Sequence, residues 1–232
     1  MPRNPILSAS RIRAAALHII DRDGLDGLSM RKLAAELGVQ AASLYGHVST
    51  KDDLLHEVAS EILEKVDVSG FSGGDWRHGL TMCARSYREA LARHPNIVPF
   101  LAYGPAHREA SLRRLDVVHG ALVAAGWTRR EATMIAASLM YLVFGAALSS
   151  FSSGFSEDQS LYQDRYPNLD KAHLLPAVAA ELDRDSFELA LNAFVTGLAV
   201  LNGRDCVAAG EAAGESAPSG SPRRTDTTAA ST

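Results

Sequence analysis

The sequence predicts an all-α fold. Apolar residues recur three and four apart in nearly every periodic stretch, and strand-like alternation is absent. Capping residues stand where such stretches begin, and glycine or proline where they stop. No internal repeat is present. With 232 residues, 47% of them apolar and 22% charged, the chain is long enough to bury a core.

The elements follow in order. Ser8 caps a helix over "ASRIRAAALHIIDRD", with Ile12, Ala15, Ala16, Ile19 and Ile20 on its apolar face and Gly24 as its stop. Leu28-Ser29 opens "MRKLAAEL", where Leu33 and Leu37 lie four apart and Gly38 ends the run. A short third helix is expected from about Gln40 to His47. Thr50 then caps a fourth helix to about Val66, with Leu54, Leu55, Val58, Ile62 and Leu63 facing inward. "DVSGFSGG" reads as a linker. Asp75 caps "WRHGLTMCARSYREALARH", which His94-Pro95 terminates. Further helices are expected at 106–125, 128–151, 171–182 and 185–202, with a Ser-rich loop over 152–170. From Gly203 the composition has almost nothing to bury and reads as a disordered tail. The organisation is therefore 1–50, a linking helix at 51–66, a larger domain at 67–202, and a tail at 203–232.

Charge and composition narrow the function classes. The two cysteines, Cys83 and Cys206, lie far apart without C-x-x-C spacing, which argues against a disulfide scaffold or zinc ribbon and fits a reducing compartment. "MPRNPILSAS" lacks the apolar run of a signal peptide, so a cytoplasmic location is expected. Nineteen Arg to four Lys, with abundant Ala, fits a high-GC bacterial source. Net charge is −4 overall, yet residues 1–51 carry seven basic and four acidic side chains, a local balance of +3. Ala132 to Ser156 holds no charge over 25 positions, long enough for a membrane span. Its serines and Gly145 dilute it, no second span is evident, and a buried or subunit-interface helix has the same look.

A short helix, the turn Gly38-Val39-Gln40 and a second short helix make a helix-turn-helix. In such a unit the second helix enters the major groove. Its outward positions are Gln40, Ala41, Ser43 and His47, while Leu44 faces in. Tyr45 and His47 can donate to phosphates, and Lys51 opens the next helix, whose N-terminus also attracts phosphate. Three core helices with a solvated polar edge would share this spacing.

"LSMRKLAAELGVQAASLYGHVSTKDDLLHEVASEIL" (28–63) resembles the DNA-binding domain of the tetracycline repressor family. The likeness rests on Arg31-Lys32-Leu33-Ala34, Leu37-Gly38-Val39, Leu44-Tyr45, His47-Val48, Lys51 and Leu54-Leu55. It continues more thinly through Trp76, "RSYREAL", Gly126-Trp127 and "FVTGLAVL". The resemblance implies an all-helical homodimer that binds a palindromic operator on double-stranded DNA and releases it to a small-molecule effector. It implies that the helices near 128–151 and 185–202 pair between subunits, where Ala136, Ala137, Gly145, Ala146 and Gly197 allow close approach. Arg31 and Ser43 match base-reading positions; Tyr45, His47 and Lys51 match phosphate contacts. Met30, Gln40, Ala41 and Ala42 complete the expected DNA face. Two departures stand out: Ala41 and Ala42 cannot hydrogen-bond to bases, and Gly46 replaces a large side chain. Gly46 means either a helix already ending or less grip on the backbone.

The resemblance also locates an effector site. Where the tetracycline-repressor branch holds a magnesium–drug chelate with a His, this chain has Phe100; Tyr103 replaces a Thr and Gly104 an Arg. Met82 and Cys83 replace polar amides, and Tyr87 keeps an aromatic place. Phe cannot ligate a metal, so a metal-independent aromatic or polyketide-like effector is expected, without a cofactor. Repression and activation both fit. The alternative is an all-helical enzyme. Against it, the eight His include no H-x-x-x-H pair, His107-Arg108-Glu109 lacks Cys partners, and neither a Gly-rich phosphate loop nor G-x-S-x-G occurs. No catalytic residue and no metal ligand are assigned.

Overall fold

The computed structural model describes residues 7–104, 109–163 and 165–214, the last eleven as backbone only. It is helical throughout, with no strand among the described residues.

Helix α1 (Ala9–Asp23) starts where the Ser8 hydroxyl accepts from Arg11 N, and stops at Gly24, whose φ of 77° only glycine adopts easily. Ile12, Ala16, Ile19 and Ile20 form its buried stripe. Helix α2 (Met30–Leu37) is capped by Ser29 and closed by Gly38 in the left-handed region, φ 68° and ψ 32°. Helix α3 (Ala41–Leu44) is a single turn. It is shorter than the expected 40–47 because the Leu44 carbonyl accepts from both His47 N at 2.9 Å and Val48 N at 3.0 Å, which tightens the chain out of the helix. The helix has thus ended before Gly46. Thr50 then caps α4 (Lys51–Glu64), accepting from Asp53 N at 3.0 Å. Arg13 of α1 donates to Glu61 at 2.8 Å and Glu57 at 3.3 Å, fastening α1 along α4.

Inside the expected linker, a 3-10 turn at Ser69–Phe71 buries Phe71 on α5 (Trp76–Ala92). Only glycine fits beneath that ring: a Cβ on Gly79 would stand 2.3 Å from Phe71 Cδ1. A 3-10 turn, Pro95–Ile97, leads into α6 (Val98–Tyr103), an element the periodicity did not disclose. At six residues it is too short for a stripe to repeat. Helices α7 (Glu109–Ala124) and α8 (Arg129–Leu148) follow, the latter opened by a capping box between Thr128 and Glu131.

The expected helix at 171–182 is instead two 3-10 turns, Ala172–Leu174 and Pro176–Val178. Pro176 lacks the N–H that a continuous α-helix through this stretch would need. The expected break between 182 and 185 is absent. Helix α9 (Ala179–Gly214) runs straight through Asp183-Arg184-Asp185 and on past 202. The tail expected from 203 therefore opens as helix, and its remainder from 215 lies outside the described residues. The 152–170 loop carries three more 3-10 turns.

In space, α1–α3 form a small bundle, α4 leads from it against α7, and α5 lies at the centre against α7, α8 and α9. Trp76 and Trp127 pack edge to face at 5.9 Å in that larger domain. Two stretches, Arg129–Gly154 and Pro176–Gly203, are long and apolar enough to cross a membrane by length and composition, where the sequence had disclosed one. Serine, threonine and the charges near Asp183 masked the second.

Candidate DNA interface and effector cavity

Ion pairing sorts the basic residues of the N-terminal bundle. Asp23 takes Lys32 and Arg22, both at 2.9 Å, and Arg22 also reaches Glu36 at 3.4 Å. Lys32, then Arg22, hold the Asp23 carboxyl below its usual range. Arg13 is consumed by α4. Arg31, at the start of α2, is exposed and holds no ion pair among the described residues. The local excess of charge is thus less diffuse than its count suggests: the paired cations hold the bundle together, and Arg31 is left outward.

Around it lie the other expected contacts. Gln40, Ala42, Ser43, Tyr45 and His47 are exposed, whereas Met30, Ala41 and Lys51 are half-buried. Leu44 is fully buried, so α3 has one anchored face and one free face. Lys51 Nζ donates to the Leu25 carbonyl at 3.3 Å, tying the start of α4 to the loop between α1 and α2. An ammonium has three donors, so this bond leaves two for a phosphate. A Cβ on Gly46 would meet only the Ser43 carbonyl, at 3.7 Å, so the turn has room for a side chain it does not carry.

A cavity of about 160 Å³ lies in the larger domain. Leu63 at the end of α4, Tyr87 of α5, Leu101 and Ala102 of α6, Arg114 and Leu115 of α7, and Met140 and Phe144 of α8 line it, with Gly104 and Ser111. Tyr87 and Phe144 meet edge to face at 5.5 Å. Of the five expected effector contacts, only Tyr87 lines this space. Cys83 is buried in the core, and burial pushes its thiol up to about 11. Met82 packs under the turn at Gly70. Phe100 faces His56 of α4, with ring centroids 5.1 Å apart. Tyr103 ends α6 and is 86% exposed. The missed lining residue with most chemistry is Arg114. Ala110, Arg114, Val118 and Leu122, four apart and all buried, put a charge in an otherwise apolar row. That pattern was readable in the sequence.

The two regions are physically joined. Asn96 Nδ2 donates to the Ile20 carbonyl at 3.0 Å and the Asp21 carbonyl at 2.9 Å, closing the C-terminus of α1 from the far domain. His94 Nδ1 lies 2.9 Å from the Asp21 carboxylate beside it. Phe100 on His56 and Leu63 in the cavity wall make the same link through α4. Among the described residues, no group of three or more His, Cys, Asp or Glu is placed to hold a metal ion.

A helix-turn-helix coupled through one helix to a cavity-bearing domain is the build of a ligand-responsive, DNA-binding transcription regulator. Comparison with known proteins gives its kind. Residues 12–58 match the bacterial regulatory proteins of the tetR family, and residues 72–201 match the tetracyclin repressor-like C-terminal domain. The chain belongs to that family. An HTH-type transcriptional regulator of Saccharopolyspora erythraea is 35% identical over 178 residues, 77% of this chain and 70% of that protein. The HTH-type transcriptional repressor DrrR1 of Streptomyces coeruleorubidus is 30% identical over 92% of this chain and 83% of its own length. Among solved structures, Streptomyces coelicolor ActR in complex with actinorhodin superposes with a TM-score of 0.68 at 27% identity, covering 86% of this chain and all of that one.

Proposed function

We propose that the chain is a cytoplasmic, homodimeric repressor that leaves a palindromic operator when a small aromatic effector fills the cavity without a metal ion. The observation that carries this reading is Leu63: the last turn of the linking helix is itself cavity wall. An effector that alters this wall acts on the helix that carries the DNA face. To release DNA it must bind the DNA-incompetent state more tightly than the competent one.

The dimer reading is supported by what one chain leaves uncovered. Only 22% and 17% of the apolar windows of α8 and α9 are buried within the chain. Their outer faces repeat at helical spacing. Met134, Tyr141 and Leu148 lie seven apart on α8, and Leu189, Gly197, Val200 and Leu201 follow one face of α9, all exposed. An apolar surface this continuous marks an interface. Paired across a two-fold axis, the α3 helices of two copies would address major grooves about 34–36 Å or more apart. The DNA contacts carried into this proposal are Arg31 and Ser43 to bases and Tyr45, His47 and Lys51 to phosphates. Actinorhodin on ActR and the repressor name of DrrR1 favour an aromatic effector and repression for this chain too.

The test is selection of an operator from random DNA, followed by titration of the complex with polycyclic aromatic compounds and with tetracycline, each with magnesium and with EDTA. Release by an aromatic compound irrespective of EDTA is expected. Failure to select any DNA, or release only by tetracycline with magnesium, would refute the reading.

A further inference from the structure

Arg114 is the least expected side chain in the larger domain. It is 8% exposed, yet no carboxylate pairs with it among the described residues. Its guanidinium has five N–H donors. One of them, on Nη1, reaches the Leu63 carbonyl, at a long 3.4 Å. The Tyr87 ring lies 4.6 Å from Cζ and offers its π face as the second partner. Neither carries a negative charge.

No nearby acidic group forms an ion pair with Arg114 among the described residues. Glu64, on the turn that holds Leu63, pairs outward with Arg113 at 3.3 Å. Asp67 stays ionised, held below its usual range by the Ser69 N–H at 2.7 Å, and makes no ion pair with Arg114. Cys83 is held as a neutral thiol by burial, although the Arg114 charge pulls the other way. A buried cation without a counter-ion is costly, and proteins retain one where something else supplies the charge. Arg114 lines the same cavity as Tyr87, Met140 and Phe144. The space is thus an apolar, aromatic slot with one unneutralised cation in its wall.

We infer that the effector is a small aromatic acid, whose carboxylate pairs with Arg114 while its ring fills the slot against Tyr87, Met140 and Phe144. This rests on the reading of the cavity as the effector site. The planar fork of Arg suits a carboxylate, which it can hold through two parallel hydrogen bonds. The size agrees, since an apolar cavity of about 150 Å³ accepts benzene and this one is of that scale. The pairing also has a consequence for α4. The guanidinium that would pair with the acid also donates to the Leu63 carbonyl through Nη1, so the acid would bind a group that touches the end of the linking helix.

The experiment compares benzoate with its neutral partner benzamide on the full-length dimer, by calorimetry and by thermal shift. Benzoate is expected to bind at least tenfold more tightly. In Arg114→Met the preference should vanish, with both probes held alike, and the ligand-free variant should melt no lower than wild type because an uncompensated buried charge has gone. Arg114→Lys should recover part of the preference. Equal affinity of acid and amide for wild type, or a tenfold preference kept in Arg114→Met, would overturn the inference. The wild-type comparison decides the matter even if Arg114→Met fails to fold. Equal binding accompanied by release of the selected operator would refute the acid and leave the regulator standing. A chain that selects no operator would instead remove the regulator.

Discussion

Leu189 offers a sharp test of the dimer. Its side chain is 73% exposed on α9, whereas Leu191, two residues on, is fully buried against the protomer core. Truncation of Leu189 to Ala should therefore leave the protomer fold untouched and act only where a second copy covers it. At about 0.8 kcal/mol per methylene, the carbons lost are worth about 2 kcal/mol per copy. A two-fold interface counts every substitution twice, which brings the loss to about 4 kcal/mol. The dimer dissociation constant should then rise about a thousandfold. Sedimentation equilibrium across a dilution series measures it directly, and circular dichroism on the same samples shows whether helix content is kept. Gly197→Glu is the harsher companion. Among the described residues nothing lies within 4 Å of a Cβ there, so its carboxylate is tolerated by one chain and stranded between two. If Leu189→Ala dimerises with wild-type affinity, the α8–α9 face is not the interface and some other surface joins the copies.

Further predictions concern the DNA face and the coupling. Arg31→Ala should lose discrimination at one base pair, by about 1–3 kcal/mol, in a competition assay on operator variants. Lys51→Ala should weaken all sequences alike and flatten the salt dependence of binding by about one phosphate contact. Both mutants binding like wild type would displace the recognition unit. Asn96→Ala strips the Ile20 and Asp21 carbonyls of a donor, at about 1 kcal/mol for each hydrogen bond. It should reduce the effect of effector on operator affinity more than either binding step alone, and unchanged coupling would show that the clip on α1 is passive.

The fold was legible where local chemistry decides it. Ser8, Ser29, Thr50 and Asp75 all cap helices by accepting from backbone N–H groups within the next three residues, and Gly24 and Gly38 stop theirs by positive φ. Such signals need no knowledge of the rest of the chain. What escaped was set by distant packing. Helix α6 exists because α8 covers it, and it is too short to announce itself. The break expected between 182 and 185 is absent, and half-buried Asp183 and exposed Arg184 and Asp185 belong to a continuous α9. The cavity shows the same division. Tyr87 followed from an aligned position, but the wall of α7 and α8 facing it is a matter of tertiary approach. Arg114 falls between the two kinds, since its place in the row 110, 114, 118, 122 was visible and its isolation from any carboxylate was not.

The two ends of α4 suggest how far a signal from the cavity must travel. At its C-terminus the Leu63 carbonyl accepts from Arg114. At its N-terminus Lys51 donates to Leu25, and along its length Arg13 binds Glu57 and Glu61. Helices α1 and α4 are therefore braced into one body, and α1 is held at its far end by Asn96 and His94 of the larger domain. A shift that enters at Leu63 cannot bend α4 alone; it must carry α1, and with α1 the base of the helix-turn-helix. Such coupling is reciprocal, so operator DNA must weaken effector binding by the same factor as effector weakens operator binding. For a pair of sites joined in this way that factor is about 5–150-fold. It is measured by titrating effector into the free dimer and into the dimer saturated with operator, and by titrating operator with and without effector. Equal factors follow from linkage whenever both ligands act on one intact dimer, and the brace itself is tested by Arg13→Ala, which unties α1 from α4 and should lower the factor. Unequal factors at constant protein concentration would mean that effector acts by splitting the dimer, and the brace would then have no part in release.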